Sequence, residues 1–328
     1  MTKFFQTDQK NQIRQIDAFA EGCWIDLVNP SDDEVEDVCA ASGLPDEMVK
    51  AALDEEERAR VESDDGCNLF ILDTPLLMDT DGGDMYLTIP LGILYNEKCV
   101  VTVSLRGNPI LKDFMSKRTK IDTTKPVGFV LQFMLENAKR FLFSLRQIDK
   151  MSSRIQEELQ KSMKNKDLMR LLDLQNSLVY FSTSLNSNMN VHIRAEKMPA
   201  VRQNEAYQDL FEDVVIETKQ AIETCNIYRD ILTVTMEAFS SVISNSANNV
   251  MRLLTILTVV VAIPTLVAGL WGMNMEVPFQ YESGTWAWWL VTILSLVGTA
   301  VAAVLMFKFS ATGRIDKASR KQKRQRKK

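Results

Sequence analysis

Glycine and proline are scarce over a long part of this 328-residue chain. Between residues 129 and 268 there is no glycine, and the only prolines are Pro199 and Pro264. Because both residue types disfavour a helix interior, their scarcity predicts long helices. We expect one helix to begin at Pro126, a second to include residues 167–185, and a third to continue from about residue 200 into the apolar segment that contains Pro264.

Histidine and closely spaced cysteine pairs are also lacking. The chain has one histidine, His192, and five cysteines without a Cys-x-x-Cys spacing. A histidine-based metal cage or a Ser-His-Asp triad would depend on that single side chain. We expect it at the surface, because it lies beside Asn188 and Asn190 in a polar helical stretch. Since no Gly-rich phosphate loop or paired-carboxylate motif is present either, the sequence does not predict an enzyme.

Charge is absent from two runs near the C-terminus, residues 253–271 and 286–307, which are 19 and 22 residues long. A helix needs about 20 apolar residues to cross a bilayer, so both runs are predicted to be membrane spans. Only 14 residues separate them, which predicts a hairpin with both ends on one side of the membrane. We assign the first span to residues 248–271, the connecting loop to 272–285 and the second span to 286–309.

The C-terminal tail differs in charge from the rest of the chain. Residues 312–328 carry nine Lys or Arg and one acid, a local charge of +8, so the remainder carries −13 in a chain of net charge −5. By the positive-inside rule, the tail (310–328) and the N-terminal region face the cytoplasm. The loop between the spans has no Lys or Arg and contains Glu276 and Glu282.

The N-terminus has charges throughout and no apolar run typical of a signal peptide. We therefore expect a two-span protein of the cell (inner or plasma) membrane with both termini cytoplasmic. Its basic tail follows a span directly, so contact with lipid headgroups is favoured over nucleic-acid binding.

Residues 1–125 are predicted to form a cytosolic α/β domain. Runs rich in β-branched residues between Gly, Pro and Asp breaks indicate strands, at residues 23–28, 68–73, 85–89 and 100–103. Ser31 and Glu34 have the spacing of a capping box, which predicts a helix start directly after the first strand. A second short helix is predicted at residues 46–54.

An acidic run in the same domain, Asp79, Asp81 and Asp84, has a partial likeness to a calcium-binding loop. The twelfth position from Asp79 is Pro90 rather than Glu, so the spacing fails. A solvated hairpin loop is the better interpretation.

Residues 126–247 are predicted to be a cytosolic helical region that includes a long stalk helix, about 200–247, continuous with the first span. Apolar residues on the stalk recur at a spacing of 3.5–3.6, which predicts a helix-packing seam. They are Phe211, Val215, Ile222, Cys225, Leu232, Met236, Phe239 and Ile243, with Thr218 and Arg229 as polar interruptions.

One face of the first span carries small or polar residues at steps of three and four. It consists of Asn248, Met251, Leu254, Thr258, Ala262, Thr265, Gly269 and Gly272. Small residues at such steps also form helix–helix contacts, and that interpretation stays open. The three polar side chains favour instead a narrow water-lined path, which requires several chains around an axis. Met251 and Leu254 are bulky and apolar, so their rings could close such a path by dewetting.

The tripeptide Gly272-Met273-Asn274 stands at the outer end of the first span. A ring of Asn274 side-chain carbonyls can accept hydrogen bonds from the waters of a hydrated divalent cation without removing those waters. Gly272 allows the backbone to leave the helix, and Met273 can anchor the turn.

These features together resemble one known family. Gly272-Met273-Asn274 with Glu276 and Pro278, the acidic-basic segment 52–62, and the order of acidic domain, long helix, two spans and basic tail resemble the CorA-type magnesium channels. The resemblance implies an α/β cytosolic domain with long stalk helices and a C-terminal transmembrane hairpin, assembled as a funnel-shaped homopentamer. It also implies that Mg²⁺ is both the transported ion and a regulatory ligand.

In that family, acidic side chains at subunit interfaces bind Mg²⁺ and hold the pore shut. Matching the long helix without gaps back from Gly272 places the sensing aspartate at Asp213. Its partner on the neighbouring subunit belongs to the α/β domain, where Asp79, Asp81 and Asp84 are candidates.

Two alternatives remain open at this point. Related transporters carry zinc, cobalt or nickel, and the sequence does not distinguish these ions from Mg²⁺. The absence of charge within residues 253–271 and 286–307 counts against an intramembrane proton relay. The second alternative is a membrane-anchored cytosolic sensor or enzyme in which the spans only tether.

Overall fold

The computed structural model of the protein describes residues 2–8, 10, 12–80, 83–162, 164–273 and 286–325. Side chains are described for these residues except 79, 80, 83, 84, 287, 307 and 309–325. The chain divides into two units, Met1–Glu237 and Ala238–Lys328.

The first unit begins with an α/β arrangement. Its strands are β1 (Thr2–Thr7), β2 (Ile13–Ile16), β3 (Cys23–Val28), β4 (Arg60–Asp64), β5 (Cys67–Thr80), β6 (Gly83–Tyr95) and β7 (Cys99–Ser104). The helices among the described residues are α1 (Asp32–Ser42), α2 (Asp46–Ala51), α3 (Pro109–Met115), α4 (Pro126–Lys161), α5 (Asn165–Ala195), α6 (Pro199–Arg202), α7 (Glu205–Trp271) and α8 (Trp286–Gln325).

The seven described strands form one sheet in the order β2-β1-β3-β7-β6-β5-β4. Only β3 and β7 pair in parallel, in a register that places Cys23 opposite Cys99. The other neighbours are antiparallel. The four strands predicted from the sequence are confirmed, although β5 and β6 are longer than expected. Strands β1, β2 and β4 were not predicted, because their short polar sequences lack the apolar alternation that marks a strand.

Both faces of the sheet are buried, so β3 and β7 alternate between two cores. Trp24 and Val100 belong to one core, with the aromatic residues Phe114 and Phe129 of α3 and α4. The intervening residues of both strands face the other core, which α1 and α2 cover. Burial on both faces explains why β3 and β7 are mostly apolar, with Asp26 and Thr102 as buried polar exceptions.

The start of α1 follows the predicted capping box. The Ser31 side chain accepts a hydrogen bond from the Glu34 backbone N–H, and the Glu34 side chain accepts one from the Ser31 backbone N–H. Gly43 ends the helix at φ 77°, a left-handed conformation that glycine adopts without strain. Helix α2 begins at Asp46 as expected and ends earlier, at Ala51.

The hairpin of β5 and β6 extends beyond the central sheet. Strand β4 pairs with β5 only as far as Ile71, and β7 pairs with β6 only from Leu91 onwards. Pro75 and Pro90 lie where β5 and β6 pair with each other but with no third described strand. On that open side a missing N–H does not remove a ladder hydrogen bond. Residues 81–82, and with them the centre of the predicted hairpin loop, lie outside the described residues.

The predicted long helices are present with revised limits. Helix α4 begins at Pro126 as expected, α5 extends to Ala195, and α7 begins at Glu205, after the one-turn helix α6, rather than near residue 200. The buried residues of α7 in the first unit differ in part from the predicted seam. They are Phe211, Val214, Thr218, Ala221, Cys225 and Leu232, so Thr218 belongs to the seam rather than interrupting it.

The expectation that His192 lies at the surface is wrong. Its side chain is only 3% exposed, and burial lowers its pKa to about 4. His192 and its neighbour Asn188 occupy the buried face of α5. The polar composition of this helix was misleading, because the sheet supplies hydrogen-bond partners for Asn188.

Candidate functional site

The second unit contains the two apolar segments. The apolar end of α7 and residues 288–306 of α8 are long and apolar enough to cross a membrane, with mean hydropathies of 2.5 and 2.2. Neither window is buried within the protein. Length and composition alone support spanning, and a helix that exposes apolar residues all round needs an apolar surrounding.

The span of α7 has one face that is partly shielded. Intermediate burial recurs at Ile256, Val260, Ile263 and Val267, at steps of three and four. Ile263 Cγ2 lies 3.9 Å from the position that a Cβ atom on Gly298 of α8 would occupy. Small residues allow such close approach of helices in a membrane. At Ile263, this face of α7 therefore lies next to α8.

The predicted stripe lies on the other side of the same helix. Met251 and Leu254 are 64% and 51% exposed, and Asn248, Thr258, Ala262, Thr265 and Gly269 are also exposed. At about 100° per residue, Thr258 and Ala262 point about 160° away from Val260. The described part of α8 thus leaves the stripe uncovered. The stripe is therefore not the surface through which α7 packs against α8 of the same chain.

Both threonines of the stripe use their hydroxyl protons in hydrogen bonds within the helix. The Thr258 hydroxyl donates to the Leu254 carbonyl oxygen at 2.8 Å, and the Thr265 hydroxyl donates to the Val261 carbonyl oxygen at 2.8 Å. Such bonds to the carbonyl four residues earlier satisfy the hydroxyl proton within the helix. The lone pairs of each oxygen remain available as acceptors.

Pro264 lies inside α7. Its ring has no N–H, so the Val260 carbonyl lacks the usual partner four residues later. A wide, open and mostly apolar surface region of about 1010 Å³ lies along this part of α7, and stripe residues such as Thr258 and Thr265 line it together with bulky apolar residues such as Leu257 and Leu266.

The outer end of the span is described as far as Met273. Gly272 donates its backbone N–H to the Ala268 carbonyl oxygen at 2.9 Å, which completes the last turn. A Cβ atom at Gly272 would lie 3.2 Å from that same oxygen, so the close turn favours glycine. Asn274, Glu276 and Glu282 lie outside the described residues.

The predicted regulatory residue Asp213 is exposed on α7. No group of three metal-ligating side chains occurs among the residues that the structure describes. The side chains of the candidate partners Asp79, Asp81 and Asp84 fall outside that part. A metal site completed by a second chain would take at least one ligand from that chain.

A buried polar cluster joins β5 to α4 and α5, and sequence reasoning missed it. Asn137 and Asn188 both donate to the Asp73 backbone carbonyl, at 2.9 and 2.8 Å. Burial raises the pKa of the Asp73 carboxyl to about 6, although the Ser184 hydroxyl opposes the shift. Asn137, among the buried apolar residues of α4, was the available signal.

A second buried carboxyl lies between β3 and β7. The Trp24 indole N–H donates to the Thr102 hydroxyl at 2.8 Å, and that hydroxyl donates to Asp26 Oδ1 at 2.9 Å. Burial raises the pKa of Asp26, while the Thr102 hydrogen bond and the nearby Lys3 charge lower it. This chain of bonds fixes the Trp24 ring, which stacks on Phe5 with centroids 4.9 Å apart.

The fold and the apolar helices define a class of protein: a membrane protein with a large α/β unit, a long helix that continues into an apolar span, and a second apolar helix at the C-terminus. The family model described as CorA-like Mg2+ transporter protein matches residues 19–309. The chain belongs to this family. Since its members are transporters, family membership also confirms the prediction that the chain is not an enzyme.

Individual relatives agree with this assignment. The chain is 26% identical over 295 residues to the cobalt/magnesium transport protein CorA of Methanocaldococcus jannaschii, covering 88% of this chain and 90% of the relative. The complete structure of the CorA magnesium transporter from that organism matches with a TM-score of 0.77 at 23% identity, over 93% and 96% of the two chains. The full-length CmaX protein matches with a TM-score of 0.69 at 17% identity, over 94% and 96%. These similarities confirm the predicted fold of an α/β domain, long helices and a C-terminal pair of apolar helices.

Proposed function

We propose that this protein is a channel for Mg²⁺ uptake across the cell membrane, formed by five copies of the chain. Membership in a family of Mg²⁺ transporters supports Mg²⁺ as the transported ion. A relative named as a cobalt/magnesium transport protein supports passage of Co²⁺ as well. The N- and C-termini are cytoplasmic, as the basic tail favours.

One observation supports the proposed conducting path. The stripe of Asn248, Met251, Leu254, Thr258, Ala262 and Thr265 lies on the side of α7 away from the contact with α8. In a membrane, a polar side chain such as Asn248 is favoured where it faces another helix or a water-filled space rather than lipid. Several copies arranged with this stripe inwards would enclose a narrow aqueous path.

Selection of the ion occurs at the outer mouth. The glycine at 272 lies in a tight turn at the end of the helix, and Met273 and Asn274 follow it directly in the sequence. A ring of Asn274 amides then binds Mg²⁺ through its water shell, because this ion keeps its waters. The acids Glu276 and Glu282 raise the local concentration of cations in the same loop.

Closure occurs near the cytoplasmic end. The exposed side chains of Met251 and Leu254 meet around the axis and exclude water. Intracellular Mg²⁺ bound between chains, with Asp213 as one ligand, keeps this constriction closed. The Asp213 carboxylate is exposed on α7, the long helix that also contains Leu254.

Ion flux into proteoliposomes that contain the purified protein tests this function. Mg²⁺, Co²⁺, Ni²⁺ and Zn²⁺ are compared with and without a proton gradient. We expect Mg²⁺ flux that is independent of the gradient and is abolished by Asn274→Ala without loss of assembly. Flux of Zn²⁺ alone, or flux that requires the gradient, would instead identify a related carrier of another ion.

A further inference from the structure

The first unit of the chain, residues 1–237, is strongly acidic. It contains 27 Lys or Arg and 40 Asp or Glu, a net charge of −13. A membrane leaflet that contains anionic lipids repels such a unit and attracts any exposed basic part of it. A group of exposed lysines on this unit is therefore a candidate for contact with lipid.

Such a group occurs at the connection between α4 and α5, residues 161–166, which we call the tip. Helix α4 ends at Lys161 and α5 begins at Asn165. The two helices pack against each other, with the rings of Phe141 and Phe181 5.0 Å apart, and form a helical hairpin. The tip contains three lysines and no Asp or Glu, so it carries a charge of +3.

The lysines of the tip are available to a partner outside the chain. Lys161, Lys164 and Lys166 are all exposed. None of the three forms an ion pair within the part of the chain that the structure describes. Their charges are therefore not neutralised by a fixed contact in the first unit.

Two of the acids closest to the tip in the sequence contact another cation. Asp167 is only 8% exposed, and its Oδ1 lies 3.9 Å from Arg170 Nη1. The Oε2 atom of Glu158 lies 3.8 Å from the same nitrogen. Glu157, one helical turn before Lys161, is exposed and is the acid that opposes the charge of the tip most directly.

The tip lies at the end of the first unit from which the chain continues to its apolar spans. Near its end, α5 lines a groove with α7, to which Ile193 and Phe211 contribute. Nearer its start, the Gln175 amide donates to Thr233 Oγ1 at 3.4 Å. The helices are thus antiparallel, and α5 extends about 15 Å from Gln175 towards its start. The tip is therefore near the end at which α7 leaves the first unit, at Glu237.

We propose that the α4–α5 tip binds anionic lipid headgroups of the cytoplasmic leaflet through Lys161, Lys164 and Lys166. The inference rests on the proposed function only in placing the first unit in the cytoplasm. Each lysine near an anionic surface strengthens binding about fivefold. Three lysines on each of several chains hold the acidic unit at a membrane that would otherwise repel it, and salt weakens this contact by screening.

Hydrogen exchange of the full-length protein in lipid nanodiscs tests the contact. Discs of phosphatidylcholine alone are compared with discs that contain about one-third phosphatidylglycerol, an anionic lipid. We expect exchange in the first two turns of α5, residues 165–172, to be about threefold slower in the anionic discs, because lipid contact opposes local opening. High salt should remove the difference between the two kinds of disc.

Two variants change the charge of the tip in opposite directions. The triple variant Lys161→Gln/Lys164→Gln/Lys166→Gln removes all three positive charges and should exchange equally fast in both kinds of disc. Glu157→Gln removes the opposing acid and should increase the difference between the discs. A triple variant that keeps the wild-type difference would show that these lysines do not bind the lipid.

A matched control separates the position of the lysines from their number. Lys98, Lys112 and Lys120 are exposed elsewhere on the first unit. Replacing all three by Gln makes the same change in net charge and should leave the difference at the tip intact. Loss of the difference in this control would mean that net charge, and not the tip, is responsible.

The remaining outcomes distinguish this inference from other partners and from the proposed function. Equal exchange of the wild type in neutral and anionic discs would overturn the inference. Slow exchange that is already present in detergent would assign the tip to a second copy of the chain and would overturn it as well. Mg²⁺ flux tests the channel separately, since a wild type that conducts Mg²⁺ without lipid-dependent exchange retains the proposed function and loses only this inference.

Discussion

Asn188 of α5 binds both backbone groups of Asp73. Its Oδ1 accepts from the Asp73 N–H at 2.9 Å, and its Nδ2 donates to the Asp73 carbonyl oxygen at 2.8 Å. Asp73 is two residues beyond Ile71, where the pairing of β4 with β5 ends. The amide side chain therefore takes the place of the next strand and covers an otherwise unpaired sheet edge.

Asn188→Ala should destabilise the α/β unit by about 1–3 kcal/mol, because the partly buried Asp73 N–H loses its partner. Asn190→Ala is the control, since Asn190 is exposed on the same helix. Unfolding of the full-length protein in mild detergent, followed with increasing urea, measures the difference. Equal urea midpoints for Asn188→Ala and Asn190→Ala would show that the hydrogen bonds from Asn188 to Asp73 contribute nothing to stability.

The Asp73 carboxyl makes stability depend on pH. Its pKa in the folded protein is raised from 3.8 to about 6 by burial, so its contribution is most favourable below pH 4 and is lost as the pH rises through 6. A shift of about two units corresponds to about 3 kcal/mol at most. Asp73→Asn should therefore raise the thermal midpoint at pH 7.5 relative to the wild type.

The same variant should give no such gain at pH 4, where the wild-type carboxyl is protonated. Thermal unfolding of both proteins between pH 4 and 8 measures the gap between the two curves. A gap that stays constant with pH would show that Asp73 does not titrate as described. Asp173→Asn makes the same change from carboxyl to amide at another position, on α5, and its thermal unfolding is measured for comparison.

The contrast between Ser31 and His192 shows which parts of the fold were predictable. The capping box of α1 is a local signal, since both of its partners lie within four residues. The burial of His192 depends on contacts between elements far apart in sequence. Helical composition predicted the existence of α5 correctly and gave the wrong exposure for this residue.

For the candidate site, the stripe was predictable because it follows the period of one helix. Which apolar positions of the span face α8 was not predictable, because Ile256 and Leu257 are equally apolar. The structure separates them, with Ile256 partly shielded and Leu257 57% exposed. The orientation of the Thr258 hydroxyl likewise required atomic positions.

Gly92 of β6 is close to the end of α2. A Cβ atom at Gly92 would lie 2.5 Å from the Cβ atom of Ala52. Gly92→Ala should destabilise the protein by about 1–3 kcal/mol through overpacking. The double variant Gly92→Ala/Ala52→Gly should recover much of the loss in the same urea titration.

Gly107→Ala is the control for a change of glycine to alanine without a backbone clash. A Cβ atom there would meet only the flexible end of Lys112, at 3.5 Å. If the Ala52→Gly change brings no recovery, the close approach of α2 and β6 is not the cause of the instability.

Leu254 should control closure of the path. Leu254→Asp places a carboxylate where the apolar ring excludes water, so the channel should conduct even at high internal Mg²⁺. Leu254→Met retains a bulky apolar side chain and should remain inhibited. Flux at low and high internal Mg²⁺ measures both variants. Strong inhibition of the Asp variant by Mg²⁺ would place the constriction elsewhere.

Asp213 should link internal Mg²⁺ to the closed state. The part of the chain outside the basic tail carries −13, and five copies in a ring bring many carboxylates together, which repel unless a cation intervenes. Bound Mg²⁺ then stabilises the closed assembly by mass action, in proportion to RT ln(1 + [L]/Kd) for each independent site.

Asp213→Lys replaces the bound ion with a fixed positive charge. We expect this variant to be protease-resistant without Mg²⁺ and to lose at least tenfold in sensitivity of flux to internal Mg²⁺. Glu223→Lys makes the same charge change at another exposed position of α7 and should retain the wild-type response. Protease resistance and flux are measured against Mg²⁺ concentration for all three proteins. Identical curves for the wild type and Asp213→Lys would remove Asp213 from the mechanism, since a ligand of the regulatory ion cannot be reversed in charge without changing the concentration at which that ion acts.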